Sequence, residues 1–149
     1  MEYSIYYDEV KSCDRLRGPG LRVTLLISGC KLHKFTDHTL EEVVSELSNE
    51  YYAGISFDGD DPLNNENRES IKDIVRTLKA VFGDSRSICL YTDYQIEDIV
   101  GLNDPVVNEL MDYVDTVIER KLNKRTYLVH HNKDGDSFHL VNNEVSLER

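Results

Sequence analysis

The residues able to do chemistry fall in three places along the chain. Cys30, His33, Asp37 and His38 lie close together and offer a thiol, two imidazoles and a carboxylate. Cys30 beside His33 has the composition of a nucleophile with its base. The four together have the ligand types of a zinc site, but zinc usually takes two paired motifs, so solvated loop residues are the simpler reading. Asp58-Gly59-Asp60-Asp61-Pro62 places three carboxylates on one turn. Such a turn has oxygen ligands for Mg²⁺ or Ca²⁺, although aspartates in turns more often cap backbone groups. His130-His131 and His139 flank Asp134-Gly135. Adjacent strand residues point to opposite faces, so His130 and His131 do not readily share an ion. GxSxG, Walker A and GxGxxG are absent from the sequence, which removes the local signals for acyl transfer and nucleotide hydrolysis.

The elements that must position these residues alternate. Val23–Ile27 is a continuous apolar run ending in Ser28-Gly29, which suits a strand buried on both faces. Leu40, Val43, Val44, Leu47 and Tyr51 have helical spacing, and Thr39 with Glu42 reads as a capping box. Ile55-Ser56-Phe57 predicts a second strand, and Ile71, Ile74, Val75 and Leu78 predict a second helix ending near Gly83. Ser87–Tyr91 is a third strand, 95–100 and 105–112 are short helices, and Asp115–Ile118 is a fourth strand. Tyr127–Val129 and Phe138–Val141 predict a C-terminal hairpin. Alternating strands and helices predict an α/β fold with a mainly parallel sheet. Function in such sheets sits at the carboxyl ends of the strands. Those ends are Ser28-Gly29-Cys30, Asp58–Pro62, Thr92-Asp93 and Glu119-Arg120.

Composition narrows the function classes. The chain has 149 residues, which predicts one domain spanning 1–149. The net charge of −11 disfavours nucleic-acid binding, which needs a basic field. No apolar run is long enough to span a bilayer, and Met1-Glu2-Tyr3-Ser4 does not open like a signal peptide. Three scattered cysteines argue against a disulfide scaffold, so a reducing, cytoplasmic setting is expected. Residues 41–70 carry nine acids against Arg68 alone, whereas 11–38 and 120–133 hold basic runs. Charge runs are usually solvated faces, yet an acidic face also docks basic partners. Glu42, Glu46 and Glu50 with Tyr51 and Tyr52 are therefore candidate protein-binding residues. A homodimer is left open.

Several segments in fixed order carry a family resemblance. They are Gly18-Pro19-Gly20-Leu21-Arg22, Ser28-Gly29-Cys30, Asp58–Leu63, Asn67-Arg68-Glu69, Leu90–Tyr94, Glu97-Asp98-Ile99 and Tyr113-Val114-Asp115. Across residues 13–121 the chain resembles the anaerobic ribonucleotide reductase activating proteins, which are small radical S-adenosylmethionine (SAM) activases. The resemblance implies a partial (β/α) barrel, a 4Fe–4S cluster held by a CxxxCxxC motif, and SAM on the open iron. It also implies a partner reductase in which a glycyl radical is made. Three thiolates are needed so that the fourth iron stays free for SAM.

The chain departs from that pattern at the cofactor site. After Cys30 the sequence reads Lys31-Leu32-His33-Lys34-Phe35-Thr36-Asp37-His38. Leu32-His33-Lys34 matches the family spacer, which registers Phe35 and His38 on the second and third cysteines. Phe cannot ligate iron. The family's Gly-Gly-Asp turn is here Gly59-Asp60-Asp61, and its Thr-Gly-Tyr is Thr92-Asp93-Tyr94. Asp60 adds bulk and charge where a glycine allows close backbone approach. Val129–Lys133 matches the family's C-terminal SAM-binding segment poorly. The expected reading is a degenerate activase. Cys30, Gly59, Asp60, Asp61, Thr92 and Asp93 form a relic cluster and SAM site, there is no catalytic residue or bound cofactor, and function comes through a protein partner. A repurposed inhibitor of a viral or mobile-element genome fits that description. The alternative is an activating enzyme that still binds SAM.

Overall fold

The computed structural model describes residues 2–121 and 124–141, together with the backbone of 146–148. Its centre is four parallel strands: β2 (Arg22–Ser28), β4 (Gly54–Gly59), β5 (Ser87–Thr92) and β6 (Thr116–Glu119). Helix α1 (Asp37–Leu47) joins β2 to β4, and α2 (Arg68–Phe82) joins β4 to β5. Helices α3 (Ile96–Gly101) and α4 (Pro105–Met111) join β5 to β6. The paired row Leu25–Phe57–Leu90–Val117 runs across the four strands and is fully buried. It shares one core with Leu40, Val43 and Leu47 of α1, Ile71, Ile74, Val75 and Leu78 of α2, and Val107, Leu110 and Met111 of α4. Each such side chain contributes about 1.5–3 kcal/mol when fully buried. The next row, Thr24–Ser56–Cys89–Thr116, faces the other side of the sheet and is polar.

The sheet as a whole is not mainly parallel. Among the described residues its order is β3-β1-β2-β4-β5-β6-β7-β8-β9, and every pairing outside the central four is antiparallel. Strand β1 (Tyr6–Asp14) returns directly into β2, and β3 (His33–Lys34) pairs only with Tyr6 and Tyr7. Strands β7 (Thr126–Asn132) and β8 (Gly135–Leu140) form the expected hairpin, and β9 (Ser146–Glu148) adds to it. Short connections can only give antiparallel neighbours, because a parallel crossover needs a dozen or more residues. Strand β1 escaped the sequence reading because its Tyr-Tyr-Asp-Glu-Val-Lys-Ser-Cys-Asp has no clean alternation.

Helix α1 is capped three residues before the expected Thr39. Thr36 is the N-cap in extended conformation, its hydroxyl accepts from the Thr39 N–H, and Thr39 returns a bond to the Thr36 N–H. Thr39 is therefore the inner half of the capping box, and the Thr39–Glu42 pairing is not used. Gly54, expected after the end of this helix, opens β4. A Cβ there would lie 2.0 Å from the Ser87 carbonyl oxygen, so β4 and β5 approach too closely for a side chain.

Candidate functional site

The carboxyl ends of β2, β4, β5 and β6 lie side by side, as the sheet order requires. Gly59 turns the chain out of β4 at φ +86°, and a Cβ on it would sit 2.4 Å from the Ile27 carbonyl oxygen. Only glycine takes this position without strain. The Asp60 N–H then donates to the same Ile27 oxygen at 2.8 Å. Asp61 is 3% exposed and accepts from the Thr92 hydroxyl at 2.9 Å, the Asp93 N–H at 2.7 Å and the Leu63 N–H at 2.9 Å. It is the pin that locks the β4 turn to the end of β5. Asp60 points to α2, where the Asn67 amide donates to it at 2.9 Å.

Above this pin lies a chain of charges. Asp58 accepts from Arg17 Nε at 2.8 Å and from Arg120 Nη1 at 2.9 Å. Arg120 Nε donates to Asp93 at 3.1 Å, Arg120 Nη1 also donates to the Gly59 carbonyl, and Lys121 lies 3.7 Å from Asp93. Arg17 continues the chain to Asp14 at 2.9 Å, and Thr24 donates to the same carboxylate at 2.8 Å. Burial opposes ionisation of Asp14, but the Leu16 N–H, Arg17 and Thr24 outweigh it and hold its pKa below the ordinary value. Burial likewise opposes the charge on Arg120, yet its carboxylate partners raise its pKa.

The base of the same face is closed by Arg22, which is fully buried. Its guanidinium donates to Ser56 Oγ, Ser87 Oγ and the carbonyls of Pro19, Ile55 and Ser87, all within 2.7–2.9 Å. This explains the Gly18-Pro19-Gly20 segment. It wraps the guanidinium, and a Cβ on Gly18 would meet Arg22 Cδ at 3.0 Å. Sequence reasoning counted Arg17, Arg22 and Arg120 among basic edges. In the structure Arg17 and Arg120 are half-buried counter-charges to the carboxylates Asp58 and Asp93, and Arg22 is buried among neutral oxygens. Arg120 was signalled only by its place right after β6.

The predicted site residues divide. Gly59, Asp60, Asp61, Thr92 and Asp93 come together as one cluster. Cys30 stands at the end of β2, exposed, with its N–H donating to Ser28 Oγ at 3.0 Å. His33 lies against the Tyr7 ring at 5.5 Å. Among the described residues no hydrogen bond joins Cys30 to His33, and no group of three His, Cys, Asp or Glu side chains is placed to hold a metal ion. Asp58 and Asp61 spend their oxygens on the donors named above. Phe35, expected in register with the second cysteine of the family motif, is a core residue. It is 1% exposed, packs edge-on against Tyr3 at 5.0 Å, and its N–H donates to the Ile5 carbonyl at 3.1 Å. His38 is exposed and pairs with Glu42 at 2.8 Å.

The candidate binding residues also separate. Tyr51 is 61% exposed, and Glu42 and Glu50 lie on the surface. Tyr52 is 2% exposed; its hydroxyl donates to Glu46 and accepts from the Cys13 N–H. Tyr52 thus offers almost no surface, and Glu46 is occupied in holding it to β1.

The thiols can be tested against a 4Fe–4S cluster. Cys30 lies two residues past Ser28, whereas Asp14 pairs with Arg22 and places Cys13 at the opposite end of β2. That is about 23 Å along the strand at ~3.3 Å per residue. Cys89 is buried in register with Ser56 and Thr116, well below the strand ends. Burial pushes its thiol up to about 11. Three thiols so placed do not fit one cluster, and the link from Cys30 to the Thr36 cap is five residues, two of them in β3.

Among the described residues no helix is long and apolar enough to cross a membrane. Residues 32–138 match a family described as a 4Fe-4S single cluster domain. The matched stretch contains one cysteine, Cys89. The chain is 38% identical over 135 residues to the anaerobic ribonucleoside-triphosphate reductase-activating protein of Enterobacteria phage T4, covering 79% of this chain and 81% of that protein. It is 25% identical over 139 residues to the protein of the same name from Vibrio cholerae, covering 81% and 84%. The corresponding Escherichia coli protein is 27% identical over 134 residues, covering 77% and 83%. No solved structure matches the chain significantly. By the family match over residues 32–138 and the 38% identity to the phage T4 protein over most of both chains, the chain belongs to the anaerobic ribonucleoside-triphosphate reductase-activating protein family.

Proposed function

We propose that this chain is a catalytically degenerate member of its family that acts by binding a protein partner in the cytoplasm. The observation that carries the reading is the dispersal of Cys13, Cys30 and Cys89 over three separate places. A radical SAM cluster needs three thiolates converging on one centre. The charge chain supports the same reading, because Arg120, Asp58 and Asp93 occupy the strand ends with side chains that satisfy one another. The architecture that goes with it is the partial barrel of the activases, turned from chemistry to contact: docking a reductase-like protein, competing with a true activase, or engaging another target.

The test is anaerobic reconstitution with iron and sulfide, followed by iron analysis, visible absorbance, SAM calorimetry and assay of SAM cleavage. The expected result is no stoichiometric iron, no cluster band and no cleavage. Stoichiometric iron with SAM cleavage would overturn the reading.

A second reading is an activating protein that still binds SAM. It is favoured by the 38% identity to the phage T4 protein over most of both chains. SAM binding in the calorimeter, with cleavage once a cluster is supplied, would establish it.

A further inference from the structure

Helices α1 and α2 leave a groove between them, lined by Asp37, Leu40, Glu41, Val44, Ser45 and Thr77, with a volume of about 480 Å³. Its floor is apolar. Leu40 and Val44 are one turn apart on α1, and Val81, 53% exposed, lies one turn beyond Thr77 on α2. Single exposed valines are ordinary, but an apolar trough with one near it is a recognition feature.

The charge around the trough is one-sided. Helix α1 carries Asp37, Glu41, Glu42 and Glu46 and no Lys or Arg. The bases of α2 are engaged by their own acids. Arg68 pairs with Asp104, Lys72 with Glu69 and Asp73, Arg76 with Glu109, and Lys79 with Asp115. Among the described residues no ion pair involves Glu41. The field over the groove is therefore negative and repels nucleic acid and anionic membrane.

We propose that the α1–α2 groove docks an amphipathic helix rich in Lys and Arg from a partner protein. Leu40 and Val44 on α1, with Val81 one turn beyond Thr77 on α2, offer apolar contacts for the i, i+3, i+4, i+7 anchors of such a helix. Glu41 on the rim supplies the complement to its basic flanks and the steering toward it. This inference rests on the reading that the chain works by protein binding, and it names the surface and the partner chemistry.

The test uses three synthetic peptides of equal length: an amphipathic Leu/Lys helix, its Leu/Glu counterpart, and a Leu/Lys peptide with the leucines shuffled. Binding to the full chain is read by fluorescence anisotropy and by backbone amide shifts. The expected result is that only the amphipathic Leu/Lys peptide binds, moving the signals of residues 40–45 and 77–81. Glu41→Lys and Val81→Asp, both at exposed positions, should each weaken it about tenfold, with unchanged circular dichroism. Equal binding of the shuffled peptide, shifts centred elsewhere, or no binding at all overturns the groove. The same sample is carried through iron reconstitution and SAM cleavage. A cluster there sinks the degenerate-activase reading, whereas peptide failure sinks the groove alone.

Discussion

Arg120 reaches across β5 to bond Asp58 on β4 at 2.9 Å, although the two are 62 residues apart in sequence. The arginine also holds Asp93, so three strands end in one ion-paired lattice. In a fold that works at its strand ends, that lattice decides what space remains there. Its members are mutually satisfied, so their charges are kept without an outside ligand.

Arg120→Ala removes the partner of Asp58 and Asp93 at a site where the arginine side chain is 23% exposed and Asp58 is 16% exposed. Asp58 keeps Arg17, which limits the loss. The expected cost is about 1–3 kcal/mol, read from urea unfolding. In a double-mutant cycle with Asp58→Asn the two changes should be non-additive by about 0.5 kcal/mol or more. Strict additivity would show that the bridge contributes nothing.

Gly59→Ala should destabilise more than its size suggests. The backbone holds φ +86°, and the added Cβ would lie 2.4 Å from the Ile27 oxygen. A cost of about 2–4 kcal/mol is expected, combining left-handed strain with the clash. Gly83→Ala isolates the clash, since Gly83 also has a left-handed φ of +58° but its Cβ would meet nothing within 4 Å. Equal melting temperatures for the two variants would contradict the turn geometry.

Thiol labelling should count the cysteines by environment. Cys13 and Cys30 are exposed, whereas Cys89 is buried with its thiol pushed up to about 11 by desolvation. The native protein at pH 8 should react rapidly at Cys13 and Cys30, and at Cys89 only after denaturation, because the thiolate is the reactive form. Fast labelling of Cys89 would mean that the Gly18–Arg22 segment opens readily.

Acid should unfold the protein through its capping and paired carboxylates. Asp104 accepts from the Val107 N–H at 3.0 Å and the Val106 N–H at 2.8 Å and pairs with Arg68; the Val107 bond leads in holding its pKa below the ordinary value. Glu97 is lowered chiefly by Arg125. A group with a depressed folded pKa contributes stability above its unfolded pKa and loses it as pH falls through the folded one. Stability should therefore hold down to about pH 4.5 and decline below it. Asp104→Ala should cost about 1 kcal/mol at pH 7 and progressively less toward pH 3. A penalty independent of pH would assign the loss to packing instead.

Much of the architecture was legible before any coordinates. Apolar runs and helical spacing marked β2, β4, β5, β6, α1 and α2, because those signals arise locally from burial on one face. The strand-end cluster of Gly59, Asp60, Asp61, Thr92 and Asp93 was legible for the same reason, since alternation of strand and helix dictates where the ends meet. Strand β1 was not, because its identity comes from pairing with β2 rather than from its own pattern. The fate of Phe35 was not either, since burial against Tyr3 and Ile5 is a long-range contact.

By itself, then, the sequence determined the order of elements, the turn at Gly59 and the scarcity of thiols, all of which are properties of residue type and spacing. Only the tertiary structure decided what the charged residues do. A guanidinium and a carboxylate have no fixed role until the fold sets their distance and removes their water. That step turned Arg22 from a surface base into a buried clamp, and Arg120, Asp58 and Asp93 from scattered charges into one lattice.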